Sequence, residues 1–600
     1  MEISSQKYAV NQYLMENLLS WITSKEIAIP EIQRPFVWDS TKVRNLIDSL
    51  YKGYPIGYLI IWRSPNIKLK DGRDSEGKKI LIDGQQRIIA LTTAILGQEI
   101  IDKNYQKKRI KVAFNPKEER FEVANPAIEK DKSWIADISN IIKDEISLLK
   151  FINNYCLQNS DINPENLEKI ISKLKNVIKR QIGVIELSGE LDINTVTEIF
   201  ERINSEGVAL SQTDFAMSRM AANEKYNGST LRKAIDYFCH LAKEPGFFDQ
   251  LQSLDKEFIQ TDYFKNITWL KNENDDLYDP DYKDVIRVVF TYEFKRGKLA
   301  DLVSLLTGRD FESRSFEEEI IEKTFLRFKV AFNQFVNETN FKRFLMIIRS
   351  AGFIDKEMIR SKNSINFVYA LYLYLRNKKT SPEKIEKVIR RWFVMSVLTE
   401  RYSGSPESKI DKDIRTIENI GVFKYLEEIE KGELSSSFWE SVLPRQLESS
   451  IITVPSFNVF LATQVKNNDK GFLSTDIKVA ELISLKGDVH HIYPKNYLKK
   501  YGLNKSQYNQ VANYVYMQQE LNIKISDKPP KDYLSKIIEQ IKTNKFNLSN
   551  FDDEKKLFEN LKENCIPQII FQGDISNYDE FLKQRRILMA KKIKRYYQIL

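Results

Sequence analysis

Between residues 215 and 440, apolar side chains return every three or four positions in segment after segment, and this pattern limits the fold more than any other feature of the chain. LRKAIDYFCHLAKE, KDVIRVVFTYEFKRG, FLRFKVAFNQFVNE, INFVYALYLYLRN and PEKIEKVIRRWFVMSVLTERY each carry such a stripe, which is the mark of helices burying one face against neighbours. The middle of the molecule is therefore expected to be a helical domain, at residues 216–440. A chain of 600 residues exceeds what one hydrophobic core supports, so about two to four domains are expected.

The region before it alternates. YLMENLLSWIT (residues 13–23) reads as a helix and IAIPEIQRPFVW as an extended run. STKVRNLIDSLYKG has Ser40 as N-cap and Gly53 as stop. YLIIW (58–62) and KILID (79–83) read as strands, and a helix follows the Asp83-Gly84 turn over 85–96. Helix dominates 165–180, GVIEL (183–187) reads as a strand, and 193–203 as a further helix. The fold class is thus α+β and helix-rich, with an α/β domain at residues 1–215.

Several classes are excluded. The longest apolar runs are far too short to span a bilayer. The N-terminus lacks the order of a secretion signal. Cys156, Cys239 and Cys565 are widely separated and offer neither a disulfide framework nor a CxxC zinc site, so a reducing cytoplasm is expected, with no membrane partner. The net charge of +9 over 600 residues allows a polyanionic partner without demanding one.

Histidine is the informative residue. The chain has three, and two of them, His490 and His491, are adjacent. They stand in GDVHHIYPK, and QVANYVYMQQELNIKISDKPPKDYL follows. A short strand ending at Pro494, a second over 514–517 and a helix over 518–525 make a ββα scaffold. In a regular strand Asp488 and His490 share a face and His491 points away, so the backbone is expected to bend toward Pro494 if both imidazoles serve one site.

The order Asp-x-His-His-Ile-x-Pro, then Asn, then Asn-x-Lys resembles the HNH nucleases, in the HHI-x-P-K branch (DUF1524) found as the second domain of GmrSD-type restriction enzymes. The resemblance covers about residues 440–570, and it implies a ββα-metal HNH domain at 441–570. It makes His491 the general base, His490 and Asn522 metal ligands with Asp488 a third ligand or a partner behind them, and Asn513 the catalytic-loop residue that orients the base. Lys524 and Lys528 fall where phosphate contacts belong. Phosphodiester hydrolysis needs a cation against developing charge and a base titrating near neutrality, and imidazole, carboxylate and amide together suit Mg²⁺ or Mn²⁺.

Three N-terminal islands stand apart from amphipathic patterning: IPEIQRPFVWD (29–39), ILIDGQQRIIAL (80–91) and FERINSEGVALSQTD (200–214). Asp83 and Gly84 form a tight turn. Gln85, Gln86 and Arg87 then open a helix with free N–H groups and a guanidinium, an anion site that Gln33 and Arg34 would complete. Together the islands resemble the DUF262 family, the N-terminal domain of GmrSD-type proteins, with a ParB/sulfiredoxin-like fold. That resemblance implies NTP binding and hydrolysis, GTP or ATP, with Asp83 as a catalytic group that places water or metal. The departure is Ile88-Ile89-Ala90, where the family has Leu-Thr-Thr; Thr92 and Thr93 come late. Arg202, Asn204 and Asp214 either serve the same pocket or cap a helix. The alternative for Arg34, Asp83 and Arg87 is a structural ion-pair network.

The tail, FLKQRRILMAKKIKRYYQIL (581–600), reads as a basic helix and sets the last segment at 571–600. Beside a nuclease its Arg585, Arg586, Lys591 and Lys592 are expected to contact DNA, while Phe581, Leu582, Leu588, Met589 and Ile593 dock onto the protein. Taken together, these resemblances imply an NTP-responsive, metal-dependent HNH endonuclease of a modification-sensing anti-phage restriction system. Its partners are double-stranded phage or modified DNA and nucleotide, with a homo-oligomer or partner defence proteins. The alternatives are a ParB-like DNA-binding regulator with a degenerate HNH site and an RNA-directed nuclease toxin.

Overall fold

A computed structural model describes residues 7–24, 26–28, 38–63, 79–101, 107–143, 147–189, 191, 195–196, 199, 212–223, 225–273, 275–311, 313 and 317–600. The density of internal contacts divides the chain into two units, Met1–Arg232 and Lys233–Leu600.

The first unit is built on a sheet. Its strands are β1 (Tyr8–Leu14), β2 (Ile27–Ala28), β3 (Leu59–Arg63), β4 (Lys79–Asp83) and, after two small hairpins, β9 (Gln181–Leu187). The hairpins are β5 (Ile100–Ile101) with β6 (Lys107–Lys108), and β7 (Val112–Asn115) with β8 (Arg120–Val123). The sheet order is β1-β9-β3-β4-β2. β9 runs antiparallel to β1 and parallel to β3; β3 and β4 are antiparallel, with a register shift between Ile60 and Ile61.

The apolar runs Leu59–Trp62 and Ile80–Ile82 are unbroken because both faces of the sheet are covered. Leu59, Ile61 and Leu81 pack with Ile88, Leu91 and Ile95 of the helix Gln85–Ile95. Ile60, Trp62 and Ile82 pack on the other face with Leu187 and Val196. The helix expected over 13–23 starts only at Met15, because Tyr13 and Leu14 belong to the ladder opposite Ile182 and Gln181. The next helix, Ser40–Lys52, is capped one residue earlier than expected: the Asp39 carboxylate accepts from Lys42 N at 2.8 Å. Gly53 ends it at φ 76°. The helix expected over 193–203 lies mostly outside the described residues.

In the second unit the helices Tyr282–Phe294, Glu318–Phe335, Glu338–Ser350, Lys362–Asn377 and Pro382–Leu398 follow the expected periodicity. Lys362–Asn377 is central: every residue from Ser364 to Leu375 is buried. Of the segments expected at 216–440, 441–570 and 571–600, all but residues 216–232 fall in this unit. Lys466 Nζ donates to the Ser350 carbonyl at 2.8 Å, and the Tyr597 hydroxyl donates to Glu430 at 2.6 Å. Among the described residues no helix is long and apolar enough to cross a membrane.

Candidate active site

The histidine pair lies on β10 (Val489–His491), which pairs antiparallel with β11 (Tyr514–Tyr516); the helix Gln519–Ile525 follows. The ladder is regular: Val489 faces Tyr516, His490 faces Val515 and His491 faces Tyr514. Successive side chains of a strand alternate, so the two imidazoles serve one site only where the backbone turns beside them. The ladder stays regular through His491, and the backbone bends just beyond it, at Ile492 and Tyr493 ahead of Pro494.

His491 sits half-buried with its ring edge-on to Tyr514, centroids 5.0 Å apart and planes at 78°. Its Nε2 lies 3.0 Å from Asn509 Oδ1. Burial pushes the His491 imidazole below its ordinary pKa, the Asn509 bond pulls it back up, and Lys495 and His490 lower it further. Burial likewise lowers His490, opposed by the Asp488 carboxylate. Both rings are thereby biased toward the neutral form, the form a base or a metal ligand requires.

Asn513 is fully buried at 0 % exposure. Its Oδ1 accepts from Tyr493 N at 2.8 Å, and its Nδ2 donates to the Tyr493 and Tyr508 carbonyls at 3.1 and 3.2 Å. Its own carbonyl accepts from Ile492 N at 2.8 Å. A side chain so enclosed cannot touch substrate, so its part is to hold the turn behind the histidines. Asp488 is exposed; Asn522 is half-buried on the helix Gln519–Ile525. The side chains of Asp488, His490 and Asn522 make no hydrogen bond among the described residues, which leaves an uncommitted set of carboxylate, imidazole and amide donors. No cluster of three His, Cys, Asp or Glu side chains able to hold a metal occurs among those residues, so a cation here would need the Asn522 amide. Lys524 is exposed and Lys528 partly so.

The basic tail is differently employed than expected. The helix Tyr578–Ile599 buries Tyr578, Phe581, Leu582, Arg585, Met589, Ala590, Ile593, Tyr596 and Tyr597, with Leu588 left at the surface. Arg585 is 0 % exposed and donates to the carbonyls of Ala512 (2.9 Å), Tyr514 (2.8 Å) and Asn564 (3.2 Å). Burial pushes its pKa down to about 10. Arg586 donates to Gln510 (2.9 Å) and Glu448 (3.2 Å), and Lys592 is paired with the buried Asp469. Arg585, Arg586 and Lys592 are therefore not free for DNA; Lys591 alone of the four is exposed. The sequence did hold a signal: Arg585 stands four residues from both Phe581 and Met589, on the apolar stripe. Asn509, outside the recognised motif, lies four residues before Asn513, and that spacing is its one sequence signal.

In the first unit, Gly84 takes φ 100° and caps the helix Gln85–Ile95. Arg87 Nη2 pairs with Asp83 at 2.8 Å, and Nη1 donates to the Ile56 carbonyl at 3.1 Å. The guanidinium expected to await phosphate is thus committed to the protein, as in the alternative ion-pair reading. Gln85 is buried and Gln86 partly so. Thr92 Oγ1 donates to the Ile88 carbonyl at 2.7 Å, and Thr93 Oγ1 accepts from Ile110 N at 3.1 Å, so both late hydroxyls serve backbone groups. Asp214 is buried near the start of the helix Gln212–Ala222. Gln33, Arg34, Arg202 and Asn204 lie outside the described residues.

The fold and these sites can be set beside known proteins. Residues 15–221, within the first unit, match the family model for the GmrSD restriction endonuclease, N-terminal domain. Across the whole length the chain is similar to the uncharacterized protein MJ0686 of Methanocaldococcus jannaschii. The two are 25% identical over 628 aligned residues, covering 95% of this chain and 96% of the relative.

Proposed function

We propose that this chain is a metal-dependent HNH-type DNA endonuclease of a GmrSD-like, phage-directed restriction system, with its activity answering to a nucleotide at the N-terminal domain. One observation carries the nuclease reading: a half-buried, neutral-biased His491 on a two-stranded ladder, tied to Asn509 and backed by the fully buried Asn513. The restriction context rests on the N-terminal match.

In this reading His491 takes the proton from the attacking water as general base. Asp488, His490 and Asn522 would hold Mg²⁺ or Mn²⁺, whose charge would offset that developing on the phosphate. Lys524, Lys528 and Lys591 are the accessible cations for the DNA backbone. A His491→Ala chain should fold and bind DNA but cut ~10²–10⁴-fold more slowly. Cutting at the wild-type rate by the folded variant refutes the assignment.

The nucleotide reading places GTP or ATP at the Asp83–Arg87 turn, where the helix N-terminus offers N–H groups. Because Arg87 already holds Asp83, phosphate must compete with that carboxylate for the guanidinium. Calorimetry with GTP and ATP, with and without DNA, tests it. No heat of binding with either nucleotide makes the turn structural, and identical cleavage rates with and without nucleotide separate the two activities.

A further inference from the structure

We infer that Asn509 is the positioning residue of this site, holding His491 in the tautomer whose Nδ1 lone pair accepts a proton; the inference rests on the reading of His491 as general base. An amide oxygen only accepts hydrogen bonds, so the 3.0 Å contact of Asn509 Oδ1 with His491 Nε2 requires Nε2 to carry the hydrogen. In a neutral imidazole the other nitrogen, Nδ1, then keeps its lone pair. The edge-on contact with Tyr514, at 5.0 Å and 78°, restrains the plane of the ring. Tautomer and orientation are set by two different neighbours.

Asn509 is itself fastened. Its N–H donates to the Lys505 carbonyl at 3.1 Å. On one side of it the Gln507 carbonyl accepts from the Tyr578 hydroxyl at 3.0 Å, and the Tyr508 carbonyl from Asn513 Nδ2 at 3.2 Å. On the other side Gln510 Oε1 accepts from Arg586 at 2.9 Å, and Val511 N donates to the Ser449 carbonyl at 2.8 Å. The terminal helix, through Tyr578 and Arg586, thus grips the turn on both flanks of Asn509. That gives part of the basic tail a role at the site without any contact to DNA.

A merely structural tie would move stability and leave the imidazole unchanged, so the test reads the ring. The chain holds three histidines, His240, His490 and His491. Labelling histidine with ¹⁵N gives three ring systems, and the one missing from His491→Ala identifies His491. Above the imidazole titrations, long-range ¹H–¹⁵N spectra should show His491 Nε2 protonated and Nδ1 pyridine-like. Asn509→Leu should lose this preference, and Asn509→Asp, whose carboxylate also accepts, should keep it. In cleavage assays Asn509→Leu should lower kcat about 10- to 100-fold, with KM changed less than about threefold, and Asn509→Asp should recover most of it.

A wild-type His491 protonated at Nδ1, or a folded Asn509→Leu chain with an unchanged tautomer, overturns the inference. If Asn509→Leu fails to fold, the wild-type and Asn509→Asp spectra still decide it: loss of the Nε2–H form in either is fatal. Failure of the nuclease reading shows instead as wild-type cleavage by His491→Ala, whatever the spectra say.

Discussion

The Asn513 amide closes on three backbone groups at once, Tyr493 N, Tyr493 O and Tyr508 O, with no exposure to solvent. Removing it leaves Tyr493 N and Tyr493 O buried without partners, each costing ~1–3 kcal/mol, whereas Tyr508 O keeps the Tyr578 hydroxyl at 3.5 Å. Asn513→Ala should therefore lower the unfolding free energy by about 2–4 kcal/mol, measured by denaturant titration; a loss below ~1 kcal/mol means water replaces the amide and the brace is dispensable. Lys592 and Asp469 show a second residue-scale balance. Burial raises the Asp469 pKa from 3.8 to about 6, and the pull of Lys592 only partly opposes it. Between those values the folded chain holds a proton that the unfolded chain has released, so stability falls as pH rises through that window. Without Lys592 a buried carboxylate is left uncompensated, which costs ~3–5 kcal/mol when ionised and little when protonated. Lys592→Ala should thus lower the melting temperature much more at about pH 7.5 than at about pH 4.5. Equal shifts at the two pH values would show that the pair does not carry the effect.

At the scale of elements, the β4-turn-helix of the first unit depends on one residue without a side chain. A Cβ at Gly84 would stand 2.2 Å from Leu59 Cδ2, and φ is 100°. Leu59 is 1% exposed on β3, so it has little room to move. Gly84→Ala should destabilise the chain by about 2–4 kcal/mol through strain and overpacking, and calorimetric melting against wild type measures it. A shift near zero would mean that the turn relaxes and is not held by β3. The ββα element is supported from outside rather than by its own length. Two strands of three residues cannot stand alone; Arg585 supplies donors to the carbonyls of Ala512 and Tyr514 at 2.9 and 2.8 Å, on either side of Asn513.

For the molecule as a whole, the terminal helix belongs to the core of the second unit. It donates from Arg585 to the turn before β11, and from Tyr596 and Tyr597 to Ala351 and Glu430. Deleting residues 578–600 should abolish cooperative unfolding of the unit Lys233–Leu600, with Ile492, Tyr493 and Asn513 losing amide protection. Hydrogen exchange on the truncated chain checks this. Native-like protection at those amides would show that the helix is an appendage after all.

The sequence by itself determined the elements whose pattern is local. The helical stripes of 282–398, the apolar runs of β3 and β4, the Gly53 stop, and the two strands and following helix around His490 and His491 all follow from side-chain periodicity and turn chemistry within a few residues. The short helices Lys495–Lys500 and Lys505–Tyr508, however, stand between the strands where a loop was expected. It also marked His491 and Asn513, because histidine is scarce and the motif spacing is tight. Where local and non-local forces competed, it misread the outcome: Tyr13 and Leu14 carry a helical pattern, yet β9, some 170 residues away, pairs with them as a strand. Only the tertiary structure decided what the charges and amides of the C-terminal turn are for. Arg585 and Lys592 look like exposed cations in a basic helix, and become internal braces because carbonyls of Ala512, Tyr514 and Asn564 and the Asp469 carboxylate lie against them. Periodicity tells which residues share a helix face, but a buried polar group is stable only beside a partner, and those partners come from distant parts of the chain.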